Sequence, residues 1–347
     1  MFDYTISRVF PRNKAAMAQV DALLRQEGIT RDANLDYTCA LWDQSGQIIA
    51  TGSCFGVTLR CFAVSRAHQG GGLLNKVASH LMEVQYSRGN THLFLYTKIS
   101  AAPLFAELGF HEIARVDGTL VFMENRRTGF SDYLKKLESY RIDGTSAALV
   151  MNANPFTLGH QYLVEQAAEH CDRLHLFVLS EDASLFPFRV RKRLVEEGTA
   201  HLNNVIIHES GPYIISSATF PSYFLKDESA VAEAHARLDL AVFTRIAAAL
   251  NISARYVGEE PISAVTAQYN RLMAQSLPEA GIECVVLPRK ELDGRPISAS
   301  AVRQAIHDGN WDTVNALVPE STRCFLQSPE AAPVIEAIRK AGQLIHH

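Results

Sequence analysis

The run Met151-Asn152-Ala153-Asn154-Pro155-Phe156-Thr157-Leu158-Gly159-His160 links an apolar stretch to a helical one through a turn of the size that holds a phosphate. Upstream, Ala147-Ala148-Leu149-Val150-Met151 is the short apolar run of a buried parallel strand. Downstream, Leu163, Val164 and Ala167 recur at helical spacing. The helix start between them offers unpaired backbone N–H groups and the positive end of the helix dipole, which favour an anion. His160 falls in the first turn, where it can bond a phosphate oxygen. Taken alone, the pattern fits an ordinary strand-to-helix turn with a solvated histidine equally well.

A second segment far along the chain supplies a partner. Ile297-Ser298-Ala299-Ser300-Ala301-Val302-Arg303 runs into the helical Gln304-Ala305-Ile306. Ser298 can cap that helix, and Arg303 can offer a guanidinium fork to phosphate. By itself this too reads as a simple capped helix. As a pair, the two segments resemble the HxGH nucleotidyltransferase superfamily, whose second signature has the form I-S-S-T-x-x-R. Thr157 replaces the first histidine, and Ala299 and Ser300 stand where Ser and Thr are usual. One imidazole fewer puts the full charge at the phosphates on His160.

With Tyr256-Val257-Gly258-Glu259-Glu260-Pro261 and an acetyltransferase-like front half, the chain resembles the citrate lyase ligase family over nearly its whole length. The resemblance implies a ligase that activates acetate with ATP as acetyl adenylate. The acetyl group then passes to the prosthetic-group thiol of the citrate lyase acyl carrier subunit, releasing AMP and pyrophosphate. By the same resemblance His160, Arg303 and Thr157 carry the chemistry. Asn152, Asn154, Pro155, Phe156, Gly159, Gly258, Glu259, Ile297, Ser298 and Ser300 hold the nucleotide, and Mg2+ arrives with ATP rather than on protein ligands. Three rival readings stay open: a small-molecule nucleotidyltransferase, an acetyltransferase with a nucleotide-binding domain, and a non-catalytic nucleotide sensor that docks on citrate lyase.

These residues need a scaffold. A chain of 347 residues suits two domains with a core each. Its net charge of −4 supplies no broad attraction for nucleic acid or anionic lipid. The six cysteines, Cys39, Cys54, Cys61, Cys171, Cys284 and Cys324, form no C-x-x-C pair and no zinc-ligand spacing, which fits a reducing cytoplasm. No segment approaches a bilayer-spanning length, so a soluble, cytoplasmic protein is expected. An acidic carrier would need a local basic patch. Arg189, Arg191, Lys192 and Arg193 are candidates, with Lys226 as a further contact for acetate or phosphate.

The expected fold class is α/β. Residues 1–128 form a GNAT-like α+β domain, 129–145 a connecting helix and linker, and 146–347 a Rossmann-like parallel-sheet nucleotidyltransferase domain. In the front part, Gln69-Gly70-Gly71-Gly72 precedes a helix. Gly70 and Gly72 let backbone approach a pyrophosphate closely. The segment resembles the Q/R-x-x-G-x-G/A region of the GNAT acetyltransferases, and Ala102 to Phe110 resembles their later A-x-x-F-x-x-x-G-F stretch. Gln69, Gly70 and Gly72 thus mark a CoA-like pocket. The hydroxyl that the family often carries in the later motif is absent, since Phe105 and Phe110 stand there; Tyr96 is a candidate substitute, although an aromatic in a strand more often packs in the core. In the rear part, strands at 174–179, 205–208, 254–257 and 283–287 alternate with helices, implying a parallel sheet covered on both faces. Ligands bind such sheets outside the carboxyl ends of the strands, where His160, Gly258 and Ser298 all fall.

Overall fold

The computed structural model describes residues 4–181, 184–214, 220, 221, 223, 225, 228–259 and 264–341. Lys226, Glu260, Pro261 and Ser263, the expected start of a helix, lie outside the described residues. Two compact units are present: Met1–Asp132 with Pro221–Ala234, and Tyr133–Phe220 with His235–His347. The return of 221–234 to the front unit has no counterpart in the sequence pattern.

The front unit runs β1 (Thr5–Arg8), α1 (Lys14–Gln26), β2 (Tyr37–Trp42), β3 (Ile48–Phe55), β4 (Thr58–Val64), α2 (Leu73–Ser87), β5 (Phe94–Thr97), α3 (Ala102–Glu107), β6 (His111–Val116) and β7 (Leu120–Glu124). Among the described residues these strands form one sheet in the order β1-β2-β3-β4-β5-β7-β6, and β4 and β5 are its parallel pair. This mixed sheet, alternating with three helices, is an α+β arrangement. Asn13 caps α1 by accepting from the Ala16 N–H at 3.1 Å. The apolar stripe of α1, Ala16, Met17, Val20, Leu23 and Leu24, packs with Ala40, Cys61 and Ala63 of the sheet. The stripe of α2, with Leu73, Val77 and Leu81, belongs to a separate core cluster. The β4–β5 ladder is short: Thr58 pairs with Phe94 and Leu59 with Leu95, and both strands then continue unpaired with each other. The register of β4 against β3 also shifts there, and Cys61 sits at φ +54°. A bulge of this kind bends its strand away from its neighbour.

α4 (Gly129–Glu138) leads into the rear unit: β8 (Ser146–Met151), α5 (Leu158–Ala168), β9 (Arg173–Val178), α6 (Phe188–Gly198), β10 (Val205–Glu209), α7 (Glu228–Leu250, of which the residues from His235 on belong to this unit), β11 (Ile252–Gly258), α8 (Ala264–Ser276) and β12 (Glu283–Leu287). A hairpin of β13 (Glu291–Leu292) and β14 (Arg295–Pro296) precedes α9 (Ala299–His307), α10 (Trp311–Leu317), α11 (Glu320–Gln327) and α12 (Ala332–Lys340). The sheet order is β10-β9-β8-β11-β12, all parallel. Chain direction through the sheet reverses between β8 and β11, which opens a crevice at their carboxyl ends. The central strands β8 and β9 are buried along almost their whole length, as a sheet covered on both faces requires. Helices α10 to α12 have no strong sequence signal because each is short. They complete the core through Val314, Phe325, Leu326, Val334 and Ile338.

Candidate active site

Thr157 begins the site. It caps α5, its Oγ1 accepting the His160 N–H at 3.2 Å, while His160 Nδ1 accepts the Thr157 N–H at 3.1 Å. The usual Glu or Gln of a capping box is here an imidazole. This fixes the tautomer. A neutral ring whose Nδ1 accepts from a backbone amide carries its proton on Nε2, so Nε2–H is the donor left for a ligand. The ring lies over Phe156, with centroids 5.9 Å apart and planes 15° apart. Burial, assisted by the Arg289 charge, pushes its pKa down from 6.5 to about 4. The expectation that His160 bears a full charge is therefore corrected: near neutral pH it is an uncharged donor at a helix N-terminus.

Gly159 explains how the two distant signatures meet. A Cβ at this position would stand 2.8 Å from the Ile297 carbonyl oxygen, so only glycine lets the first turn of α5 touch the entry to α9. Ser298 caps α9 by accepting from the Ala301 N–H at 3.1 Å. Arg303 lies one turn into α9 and is 3% exposed. Its Nη1 donates to the Asn154 carbonyl and its Nη2 to Ser300 Oγ at 3.2 Å. Burial lowers its pKa only to about 10, so it stays a cation. Arg303 thus ties the α9 turn to the turn after β8.

That turn is held from the other side as well. Asn154 is buried, and its Oδ1 accepts from the Phe186 N–H at 3.0 Å. Pro155 and Phe156 are buried, and the Phe156 carbonyl accepts from Thr322 Oγ1 at 2.8 Å. Ala153 holds φ +53°, a strained value for a residue with a Cβ. Asn152 Nδ2 donates to Ser184 Oγ at 3.0 Å. At the end of β11, the Gly258 carbonyl accepts from Asn270 Nδ2 at 3.0 Å. The exposed Glu259 donates its N–H to the Leu287 carbonyl at 2.8 Å.

The arrangement is two helix N-termini in contact, a cation and a neutral imidazole donor, at the carboxyl edge of a parallel sheet. A family model described as the citrate lyase ligase C-terminal domain matches residues 146–326. The citrate pro-3S-lyase ligase of Klebsiella pneumoniae is 41% identical over 321 residues, 91% of this chain and 94% of that protein. Its Escherichia coli K12 counterpart is 37% identical over 329 residues, 93% of each. The chain belongs to the citrate lyase ligase family.

Citrate lyase ligases are ligase enzymes, and so is this chain. Two narrower similarities accompany the family match. A stretch of 66 residues, 18% of this chain and 41% of the relative, is 35% identical to the phosphopantetheine adenylyltransferase of Staphylococcus saprophyticus. A GNAT-family acetyltransferase structure from Staphylococcus aureus aligns at 14% identity and a TM-score of 0.31, covering 36% of this chain and all of that one, 100%.

Two cations of this ligase escape a motif-based reading. Arg289, in the loop after β12, donates from Nε to the Glu259 carbonyl at 2.6 Å and is the charge that His160 senses. Its signal is only a basic pair, Arg289-Lys290, directly after a strand. Arg191 is fully buried. It donates to the carbonyls of Leu179, Asn152 and Phe186 at 2.8, 2.8 and 3.0 Å, and to that of Glu181. The four-cation surface patch is therefore corrected, because Arg191 turns inward on the buried stripe of α6. Lys192 pairs with Glu196 and Glu209, and Arg193 with Glu197 and Glu330. Arg189 is exposed.

In the front unit Gly70 and Gly72 are exposed at φ +79° and +70°, and Gly72 opens α2 without a side-chain cap. Gln69 Nε2 donates to the Val64 carbonyl at 3.2 Å. Tyr96 is a core residue: it is 5% exposed and stacks on Phe122 at 4.4 Å. No described helix is long and apolar enough to cross a membrane.

Proposed function

We propose that this ligase activates acetate with ATP and transfers the acetyl group to the prosthetic-group thiol of the citrate lyase acyl carrier subunit. In the first step an acetate oxygen attacks the α-phosphorus, the bond to the β-phosphate breaks, and pyrophosphate leaves with acetyl adenylate retained. In the second, the thiol sulfur attacks the acyl carbon, the bond to AMP breaks, and the thiol proton passes to solvent. The chemistry demands positioning and charge stabilisation rather than a protein nucleophile.

The observation that carries this reading is the contact of Gly159 with Ile297, which joins both signature helix starts into one anion site in a chain of this family. His160 donates from Nε2–H to a phosphate oxygen. Arg303, with the Ser298 and Ser300 segment, offsets charge on the leaving pyrophosphate. Asn152, Asn154, Pro155 and Phe156 shape the turn, and Gly258 and Glu259 border the nucleotide. Arg289 joins this set. Magnesium, when bound with ATP, neutralises phosphate charge. The ion is read as arriving on the ATP phosphates, as the family resemblance implies.

Pyrophosphate release from ATP and magnesium is the test, measured with and without acetate and then with the deacetylated carrier thiol. Acetate-dependent release that carrier accelerates and His160→Ala abolishes is expected. Release indifferent to both acetate and carrier overturns the reading. The 66-residue similarity to an adenylyltransferase supports a second one, in which the nucleotide is joined to a phosphate ester and acetate is inert.

A further inference from the structure

The front unit contains a gap that its own chain fills. Beyond Leu59 and Leu95 the parallel strands β4 and β5 no longer pair, although β4 continues to Val64 and β5 to Thr97. Parallel strands that separate leave backbone donors and acceptors for an extended, amide-bearing ligand to use as an added strand. Past the end of β4, the exposed glycine turn 70–72 opens α2 with no side-chain cap and suits a pyrophosphate. An amide-bearing arm ending in a pyrophosphate is the chemistry of CoA.

Tyr223 sits at that gap. It is 5% exposed and packs with Cys61 and Ala63 of β4 and with the α1 stripe. Its hydroxyl donates to the Tyr96 carbonyl on β5 at 3.0 Å, and its own carbonyl accepts the Thr30 N–H at 2.6 Å. Burial first, and then the neighbouring Cys61, raises the pKa of the phenol, so the group stays a neutral donor. One side chain therefore touches both strands just past the point where their ladder ends. The local side chains agree with a silent site: Phe105 and Phe110 are core residues, and the Tyr96 ring is stacked inside the sheet.

We propose that Tyr223 is a built-in plug that closes the β4–β5 gap of the front unit to CoA thioesters, so that this unit performs no acetyl transfer from CoA. The inference is independent of the adenylation chemistry assigned to the rear unit. CoA would bind only in the fraction of molecules whose Tyr223 has withdrawn, which lowers its apparent affinity in proportion. The cost of withdrawing a buried aromatic with its hydrogen bond sets that loss on the order of a hundredfold.

The test is calorimetric titration of the full-length protein with CoA. Wild type is expected to give no binding at millimolar CoA. Tyr223→Ala, or Tyr223→Leu if the alanine variant does not fold, is expected to gain binding by at least about tenfold. Adding Gly72→Val, which strains the left-handed turn at the phosphate end, is expected to remove the gain. Wild type binding CoA as tightly as the variants overturns the proposal. So does a folded Tyr223→Leu that binds no CoA, or a gain that survives Gly72→Val.

Discussion

At the scale of single residues, the site depends on an atom that is missing and a proton that is fixed. Gly159→Ala sets a methyl group 2.8 Å from the Ile297 carbonyl oxygen and drives the two signature turns apart. Misplacement of about 1 Å can cost on the order of a hundredfold in rate. Pyrophosphate release should fall by roughly that factor while the far-ultraviolet circular dichroism is unchanged, and near-wild-type turnover would contradict the geometry. The His160 proton is set by the Thr157 amide. Nitrogen NMR should report a neutral ring protonated at Nε2 from pH 8 down to about pH 5, because the pKa lies near 4. A titration centred at 6.5 would refute the assigned state. Neither detail is legible locally: the spacing marks Gly159 and His160 as important, but the partner of one lies far along the chain and the other's charge is decided by burial.

At the scale of elements, caps and braces hold the helix starts in register. Thr157→Ala removes the α5 cap and should lower stability by about 1 kcal/mol, with Thr157→Ser restoring it in urea unfolding. Arg191→Lys cannot match a five-donor fork and strands the carbonyls of 152, 179, 181 and 186 in the interior. The loss should be about 3 kcal/mol. Such elements divide clearly by legibility. The Ser298 cap follows from a hydroxyl before an apolar period, and the rear strands follow from apolar runs between turns. Arg191 looks like one of four surface cations until its place beside Val190, Leu194 and Val195 on the buried stripe is noticed. Helices α10 to α12 carry too few turns for periodicity to speak, and their burial comes from distant partners.

Across the whole molecule, stability should be sensitive to acid. His175 Nδ1 and His208 Nε2 lie 2.9 Å apart inside the rear unit. Burial, as the main cause, pushes their pKa values from 6.5 to about 4 and about 3. Below pH 6.5 the unfolded chain binds protons that the folded one refuses, so stability falls as the pH drops from 6.5 toward 4. Urea midpoints at pH 7 and pH 5 should show the loss, and His175→Phe should blunt it. The parallel rear sheet follows from the alternation of strands and helices in the sequence, whereas the α+β class of the front unit is legible only through its two motif resemblances. The return of 221–234 to the front unit is legible in neither way, because a single buried tyrosine leaves no period. That return has a consequence for synthesis. As the chain leaves the ribosome, the front unit must wait through most of the rear sheet before its last piece emerges, so its nascent core stays incomplete while the next unit is being made. A fragment cut between the units as they appear along the sequence would carry the same wound, with Cys61 and Ala63 uncovered where Tyr223 belongs.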